Sequence, residues 1–167
     1  MPQTIVTNRL TRGRDALGLV AFLFACLIIS GIGGLVTATS VGGWYTTLDK
    51  PAFNPPSWVF APVWTMLYVL MAIAAWRVWR SPQTDLRRRA LGAFGLQLVL
   101  NLLWSVLFFG FQQIGAALVD IVLLFSAIAF NALLFWRVER LAGWLFVPYL
   151  LWVAFAALLN LSLWLLN

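Results

Sequence analysis

Trp64, Trp104 and Trp152 each lie about two or more turns inside a separate apolar segment, with polar or aromatic companions at helical spacing. Trp64 and Tyr68 share one helical face. Gln97, Asn101, Trp104 and Phe108 share a second, and Tyr149, Trp152, Ala156 and Asn160 share a third. Indole and phenol rings stack on flat apolar surfaces, and carboxamides both donate and accept hydrogen bonds. If the three faces converge, they form a pocket for a flat, largely apolar molecule held in orientation by a few polar groups. The competing reading is structural, because deep indoles and amides also hold helices together, with interhelical bonds worth about 0.6 kcal/mol or more.

Acid–base and metal chemistry are poorly supplied. The chain has no histidine, which removes the commonest metal ligand, haem ligand and general base together. No serine, cysteine or lysine stands near an identifiable base. The five carboxylates are Asp15, Asp49, Asp85, Asp120 and Glu139, and no catalytic residue, metal ligand or obligatory cofactor is assigned from them. Only Asp120 falls inside an apolar segment, where a carboxylate costs about 2.5–3.5 kcal/mol and faces a bundle interior or a cavity. A structural hydrogen-bonding role and a functional one both remain open for it. Cys26 is the single cysteine, so no intrachain disulfide exists.

The elements that must position these residues follow from composition. Of 167 residues, 63% are hydrophobic and 10% charged, far from the balance of a soluble domain. A spanning helix needs about 20 mostly apolar residues. Five such segments can be drawn, at about 16–38, 58–80, 89–111, 114–136 and 141–165. The expectation is one all-α integral membrane domain, a five-transmembrane-helix bundle. The link near Gln112 and Gln113 is very short, which makes segments three and four an antiparallel hairpin.

The formal charge of +6 raises nucleic acid as a partner, but the basic residues sit at helix ends rather than along one face. No nucleic-acid partner is expected. With the N-terminus inside, the inner segments hold Arg9, Arg12, Arg14, Arg77, Arg80, Arg87, Arg88, Arg89, Arg137 and Arg140, and Lys50 alone is outside. That asymmetry predicts N-terminus in and C-terminus out. The start of the first segment also has the charged and apolar regions of a signal peptide, and Leu23-Phe24-Ala25-Cys26 faintly resembles a lipoprotein box. Apolar residues continuing through Leu35 argue against processing there.

The connection from about Thr39 to Ser57 is the long one, and Pro51, Pro55 and Pro56 make it extended and stiff. Pro62 falls in the first turn or so of segment two, where a missing amide costs little. Gly31, Gly33 and Gly34, with Ser30, permit close approach of another helix or of a ligand. Ala90, Gly92, Ala93 and Gly95 form a second small-residue set, suited to a homodimer seam or to internal packing.

Seven of the ten tryptophans fit interfacial belts: Trp44, Trp58 and Trp164 outside, and Trp76, Trp79, Trp136 and Trp144 inside. The remaining three are the deep ones. Trp64, Tyr68, Asn101, Trp104, Asp120, Ala156 and Asn160 all fall in the outer half, on the side of the proline-rich loop. The expected site is an aromatic cavity beneath a lid carrying Trp44, Tyr45, Phe53 and Asn54.

These residues resemble those of the tryptophan-rich sensory protein and translocator protein family, whose mitochondrial members are also called peripheral-type benzodiazepine receptors. The resemblance runs from about Trp44 to Asn160. It rests on Trp44-Tyr45, Lys50-Pro51, Pro55-Pro56, Trp58-Val59, Pro62-Val63-Trp64 and Leu67-Tyr68, then on Gln97, Asn101, Trp104 and Phe108-Phe109-Gly110. Ala117-Leu118-Val119-Asp120, Pro148-Tyr149-Leu150, Trp152 and Leu159-Asn160 complete it. It implies a five-helix bundle, often dimeric, that takes porphyrins such as protoporphyrin IX or haem, isoquinoline and benzodiazepine-type drugs and, in some members, cholesterol. The matching ligand-contacting positions are Tyr45, Trp64, Tyr68, Asn101, Trp104, Trp152 and Ala156. The tyrosine and arginine of the cholesterol-recognition stretch of animal members are missing from Leu161-Ser162-Leu163-Trp164-Leu165.

The leading expectation is therefore a receptor- or transporter-like membrane protein that binds tetrapyrroles. Two alternatives stand beside it. One is a light-dependent porphyrin-degrading enzyme, which the resemblance suggests and which needs no histidine because the excited ring and oxygen supply the reactivity. The other is an interacting membrane subunit in which the small-residue faces matter and the cavity is incidental.

Overall fold

The computed structural model describes the backbone from Gln3 to Asn167 and the side chains from Gly13 onward. Arg9 and Arg12, which entered the charge reading, have side chains outside the described residues. Helix α1 (Gln3–Val41) is continuous and apolar through its second half, and Gly13–Val41 is long enough to cross a bilayer. The proline-rich connection is less uniformly extended than its prolines suggest. It opens with one helical turn, α2 (Trp44–Thr47), before Leu48 turns extended at φ −71°, ψ 143°.

A single tight turn, Ser57–Val59, leads into α3 (Phe60–Arg80), which accommodates Pro62 in its first turn. Pro82 follows the extended Ser81 and prevents the helix from continuing. Thr84 then caps α4 (Asp85–Ser105), its hydroxyl accepting from the Arg87 amide at 3.1 Å while Asp85 sits in the positively polarised first turn. This helix starts before the apolar run drawn at about 89. It ends in a wider turn, Val106–Gly110, where the Phe111 amide reaches back five residues to the Val106 carbonyl at 2.8 Å. Gln112, at φ 57°, reverses the chain in the left-handed region, and α5 (Ile114–Val138) returns against α4 in the most extensive helix pairing of the fold.

The fifth segment is two helices rather than one. Glu139 caps α6 (Arg140–Leu145) by accepting the Ala142 amide at 2.7 Å, and the chain breaks at Phe146 before α7 (Val147–Leu166). Pro148 has no amide to carry an α-helical ladder across that point. Together these elements form five helical units, each long and apolar enough to span a membrane. Exposed Leu17, Val20, Phe24 and Leu35 on α1, and Leu96 and Val99 on α4, present the apolar surface that suits lipid.

One end of the bundle is tied by charge and the other by backbone. At the arginine-rich end Arg80 pairs with Asp15 at 2.9 Å, the Trp76 indole donates to the Asp15 carbonyl at 2.8 Å, and Arg77 grips Glu139. At the loop end Ser40 donates to the Phe109 carbonyl at 2.7 Å, and the Asn167 side chain bonds both the amide and the carbonyl of Asp49. Two apolar clusters fill the interior. One surrounds Met71, Phe94, Phe135 and Phe146; the other, nearer the loop, holds Tyr45, Phe108, Phe109 and Leu163.

Two expectations about packing are refined. Gly33 is the one member of Gly31, Gly33 and Gly34 with a helix against it, since an added Cβ there would meet the Ser105 hydroxyl at 3.4 Å while the other two face open space. Trp79, placed in the interfacial belt by sequence, is only partly exposed and seats its ring in the notch left by Gly18. A broad indole fits there because glycine has no Cβ to fill the space.

Candidate functional site

A cavity of about 390 Å³ opens at the loop end of the bundle, between α1, α3, α4 and α7. That volume falls in the small-molecule range of about 300–1,000 Å³. Helical spacing explains the walls. Phe60, Trp64 and Tyr68 recur every fourth residue on α3, Asn101 and Trp104 face them from α4 with Phe108 of the wide turn, and Trp152, Ala156 and Asn160 complete the ring from α7.

Nine of the ten residues singled out from the sequence line this space: Tyr45, Trp64, Tyr68, Asn101, Trp104, Phe108, Trp152, Ala156 and Asn160. Gln97 does not. It is fully buried about one turn below Asn101, where its carbonyl accepts from the Tyr149 hydroxyl at 3.0 Å and its amide nitrogen lies 3.7 Å from the Met71 sulfur. Asp120 is likewise buried, at 4% exposure, outside the lining, and its Oδ2 has no hydrogen-bond partner.

Most polar groups in the wall are engaged. Tyr68 Oη donates to Asn101 Oδ1, Asn101 Nδ2 donates to Tyr149 Oη at 2.8 Å, and Trp104 Nε1 donates to Asn160 Oδ1 at 3.0 Å. Asn160 Nδ2 is spent on the Ile114 carbonyl at 3.0 Å. Trp152 Nε1, by contrast, is buried with no acceptor. Its ring is fixed edge-on by Phe60 at 6.0 Å and tilted against Phe155 at 5.6 Å. The walls are thus rigid and aromatic, and the lining contains no charged side chain.

Only part of the expected lid reaches the cavity. Tyr45 lines it, with its hydroxyl donating to Asn54 Oδ1 at 2.8 Å; burial pushes that hydroxyl above its ordinary pKa, and the Asn54 bond partly offsets the rise. Trp44 packs on the wall residue Phe108 at 5.7 Å, whereas Phe53 packs at 6.3 Å on Phe155, which lies outside the lining and in turn touches Trp152. Helix α1 contributes Ser30, Gly33 and Thr37, and the α3 stripe extends back to Phe60. The sequence admits a ligand beside Ser30, Gly33 and Gly34 as one of two readings, but points to neither Thr37 nor Phe60. Phe60 was readable as the residue one turn before Trp64, whereas α1 is apolar on every side and carries no periodic signal for its inward face.

The match to known proteins covers nearly all of this architecture. The TspO/MBR family model matches residues 21–165. The chain belongs to the TspO/MBR family. It is 41% identical over 158 residues to tryptophan-rich protein TspO of Chlorobaculum tepidum, covering 92% of this chain and 98% of that protein. It is 38% identical over 148 residues to the tryptophan-rich sensory protein of Cereibacter sphaeroides, covering 89% and 90%. The translocator protein of Sus scrofa is 38% identical over 143 residues, covering 82% and 85%. TspO/MBR membership and five apolar helical units together make this an integral multi-pass membrane protein.

Proposed function

We propose that this TspO/MBR protein binds porphyrins and related flat hydrophobic molecules in the cavity at the loop end of the bundle, as a receptor or carrier. The observation behind this reading is the convergence of Trp64, Trp104 and Trp152, with Asn101 and Asn160, on one uncharged space. Flat rings gain by stacking on indole, and the wall supplies three such rings. Isoquinoline and benzodiazepine-type drugs suit the same walls. With the arginine-rich end inside, the cavity faces outward. Gly92 and Gly95, which have open space before them on α4, suit pairing of two copies.

The test is a titration of purified protein with protoporphyrin IX in detergent, following tryptophan fluorescence. Saturable quenching weakened by Trp64→Phe and Trp152→Phe, but not by Trp136→Phe at the arginine-rich end, is the expected result. Quenching no greater than the inner-filter effect would remove the reading and return the deep aromatics to helix packing.

A second reading is favoured by the ring contacts of Trp64, which lies 5.9 Å from Tyr68 and 6.3 Å from Tyr149. Such a cluster of oxidisable rings suits light-driven oxidation of a bound porphyrin by dioxygen. Spectral change under illumination that is lost in Trp64→Phe would support it; identical bleaching of free porphyrin would exclude it.

A further inference from the structure

Among the described residues, Lys50 is the one basic side chain at the loop end of the bundle, the arginines standing at the opposite helix ends. Its Nζ donates to the Leu48 carbonyl at 3.0 Å and to the Thr46 carbonyl at 3.3 Å, and lies 5.0 Å from the centroid of the Tyr45 ring. None of these partners carries a negative charge. An ammonium has three donors, so one remains available. Asp49, its neighbour in the chain, makes no ion pair with it; the Asp49 backbone is taken by Asn167.

Tyr45 is itself a wall of the cavity. A half-buried, unneutralised cation therefore stands one aromatic ring away from a space that contains no charge. A carboxylate entering that space would lose its hydration with nothing to replace it. An acidic ligand must then keep its ring body inside and its carboxylate at the rim. There the Lys50 ammonium is already held by two carbonyls and a ring face, so little side-chain freedom remains to be lost on binding.

We propose that Lys50 Nζ pairs with the carboxylate of a ring ligand seated in the cavity, and that it is the residue setting the preference for acidic over neutral ligands of the same shape. This role rests on the porphyrin-binding reading of the cavity. The experiment compares protoporphyrin IX with its uncharged dimethyl ester, by tryptophan quenching in neutral detergent at pH 7, in wild type, Lys50→Met and Lys50→Arg.

The expected result is tighter binding of the diacid than of the ester by wild type. Lys50→Met then weakens the diacid roughly three- to ten-fold, the size of a partly exposed ion pair, and leaves the ester unchanged. Lys50→Arg retains the diacid preference, and added salt narrows it in wild type and Lys50→Arg but not in Lys50→Met. Unchanged ester binding also reports that the Lys50→Met cavity is intact. If both ligands bind and Lys50→Met changes neither, or weakens both equally, the pairing is overturned while the cavity reading stands. If wild type binds neither, the cavity reading fails and the Lys50 role with it.

Discussion

Tyr68 Oη donates to Asn101 Oδ1 at 2.5 Å, and Asn101 Nδ2 donates onward to Tyr149 Oη at 2.8 Å, joining α3, α4 and α7 through one side chain. Tyr149 Oη passes the chain to Gln97 at 3.0 Å. A buried network is strong when every member is satisfied and costly when one is removed. Asn101→Leu leaves the Tyr68 hydroxyl without its acceptor and removes the donor to Tyr149. An orphaned buried group costs about 1–3 kcal/mol in general, and interhelical bonds in membranes average nearer 0.6 kcal/mol, so a loss of about 1–2 kcal/mol is expected. Unfolding of detergent-solubilised protein measures it. In a double-mutant cycle with Tyr68→Phe the two losses should fall short of additivity; full additivity would mean the side chains act independently.

Two cavity indoles with different partners should separate stability from binding. Trp104 Nε1 is bonded to Asn160 and its ring stacks on Phe108 at 5.2 Å, whereas Trp152 Nε1 has no acceptor. Trp104→Phe keeps an aromatic ring but loses the bond, and is expected to cost about 1 kcal/mol. Trp152→Phe forfeits no hydrogen bond, so it should cost less stability than Trp104→Phe while removing comparable indole surface from the cavity that a porphyrin stacks on. Thermal unfolding and fluorescence titration of both variants check the pair; an equal loss of stability would remove the distinction.

The site was legible where helical period carried it. Residues 64 and 68, 101, 104 and 108, and 152, 156 and 160 line one cavity because a helix repeats every 3.6 residues and each stripe differs from its surroundings. Gln97 lies on the same stripe but below the floor, because the Tyr149 hydroxyl from another helix covers it; depth along a stripe depends on what packs across it. The α1 wall was marked only by small residues that suit a helix or a ligand alike, for a related reason. Its inward face is chosen by contacts such as Gly33 against Ser105, and an apolar helix in lipid shows no amphipathic contrast. The break at Phe146 had a readable cause in Pro148, but the apolar run continues through it and masked the interruption.

Gly18 and Gly31 lie on the same helix and should respond to alanine with opposite sign. A Cβ at Gly18 would stand 2.6 Å from Trp79 Cζ3, while at Gly31 nothing lies within 4 Å. The ring edge of Trp79 cannot swing aside as a flexible chain end would, so Gly18→Ala is expected to destabilise by about 1–3 kcal/mol. Gly31→Ala should be neutral or stabilise by up to about 1 kcal/mol through helix propensity. Adding Trp79→Phe to Gly18→Ala should recover part of the loss, since the narrower ring vacates the notch. Failure of that rescue would place the cost elsewhere than the indole.

The elbow between α5 and α7 should be sensitive to acid. Arg77 Nε and Nη2 each reach a different oxygen of Glu139 at 3.0 Å, and Glu139 Oε2 also accepts the Ala142 amide at 2.7 Å. The Arg77 bond, ahead of the other contacts, holds the Glu139 carboxyl below its ordinary value against the opposing effect of burial. A pKa lower in the folded than in the unfolded chain stabilises the fold in full above the unfolded value, about 4.3 for glutamate. That contribution is lost as pH falls through the folded value. Glu139→Gln keeps an oxygen to cap α6 but not the charge, and is expected to cost about 1 kcal/mol at neutral pH, as a two-pronged but partly exposed pair should. The gap between wild type and Glu139→Gln should then close as pH drops below about 4, measured as unfolding midpoints across a pH series. A gap that stayed constant with pH would assign the elbow to packing around Gly143, where an added Cβ would stand 2.8 Å from the Trp136 Cα, rather than to the ion pair.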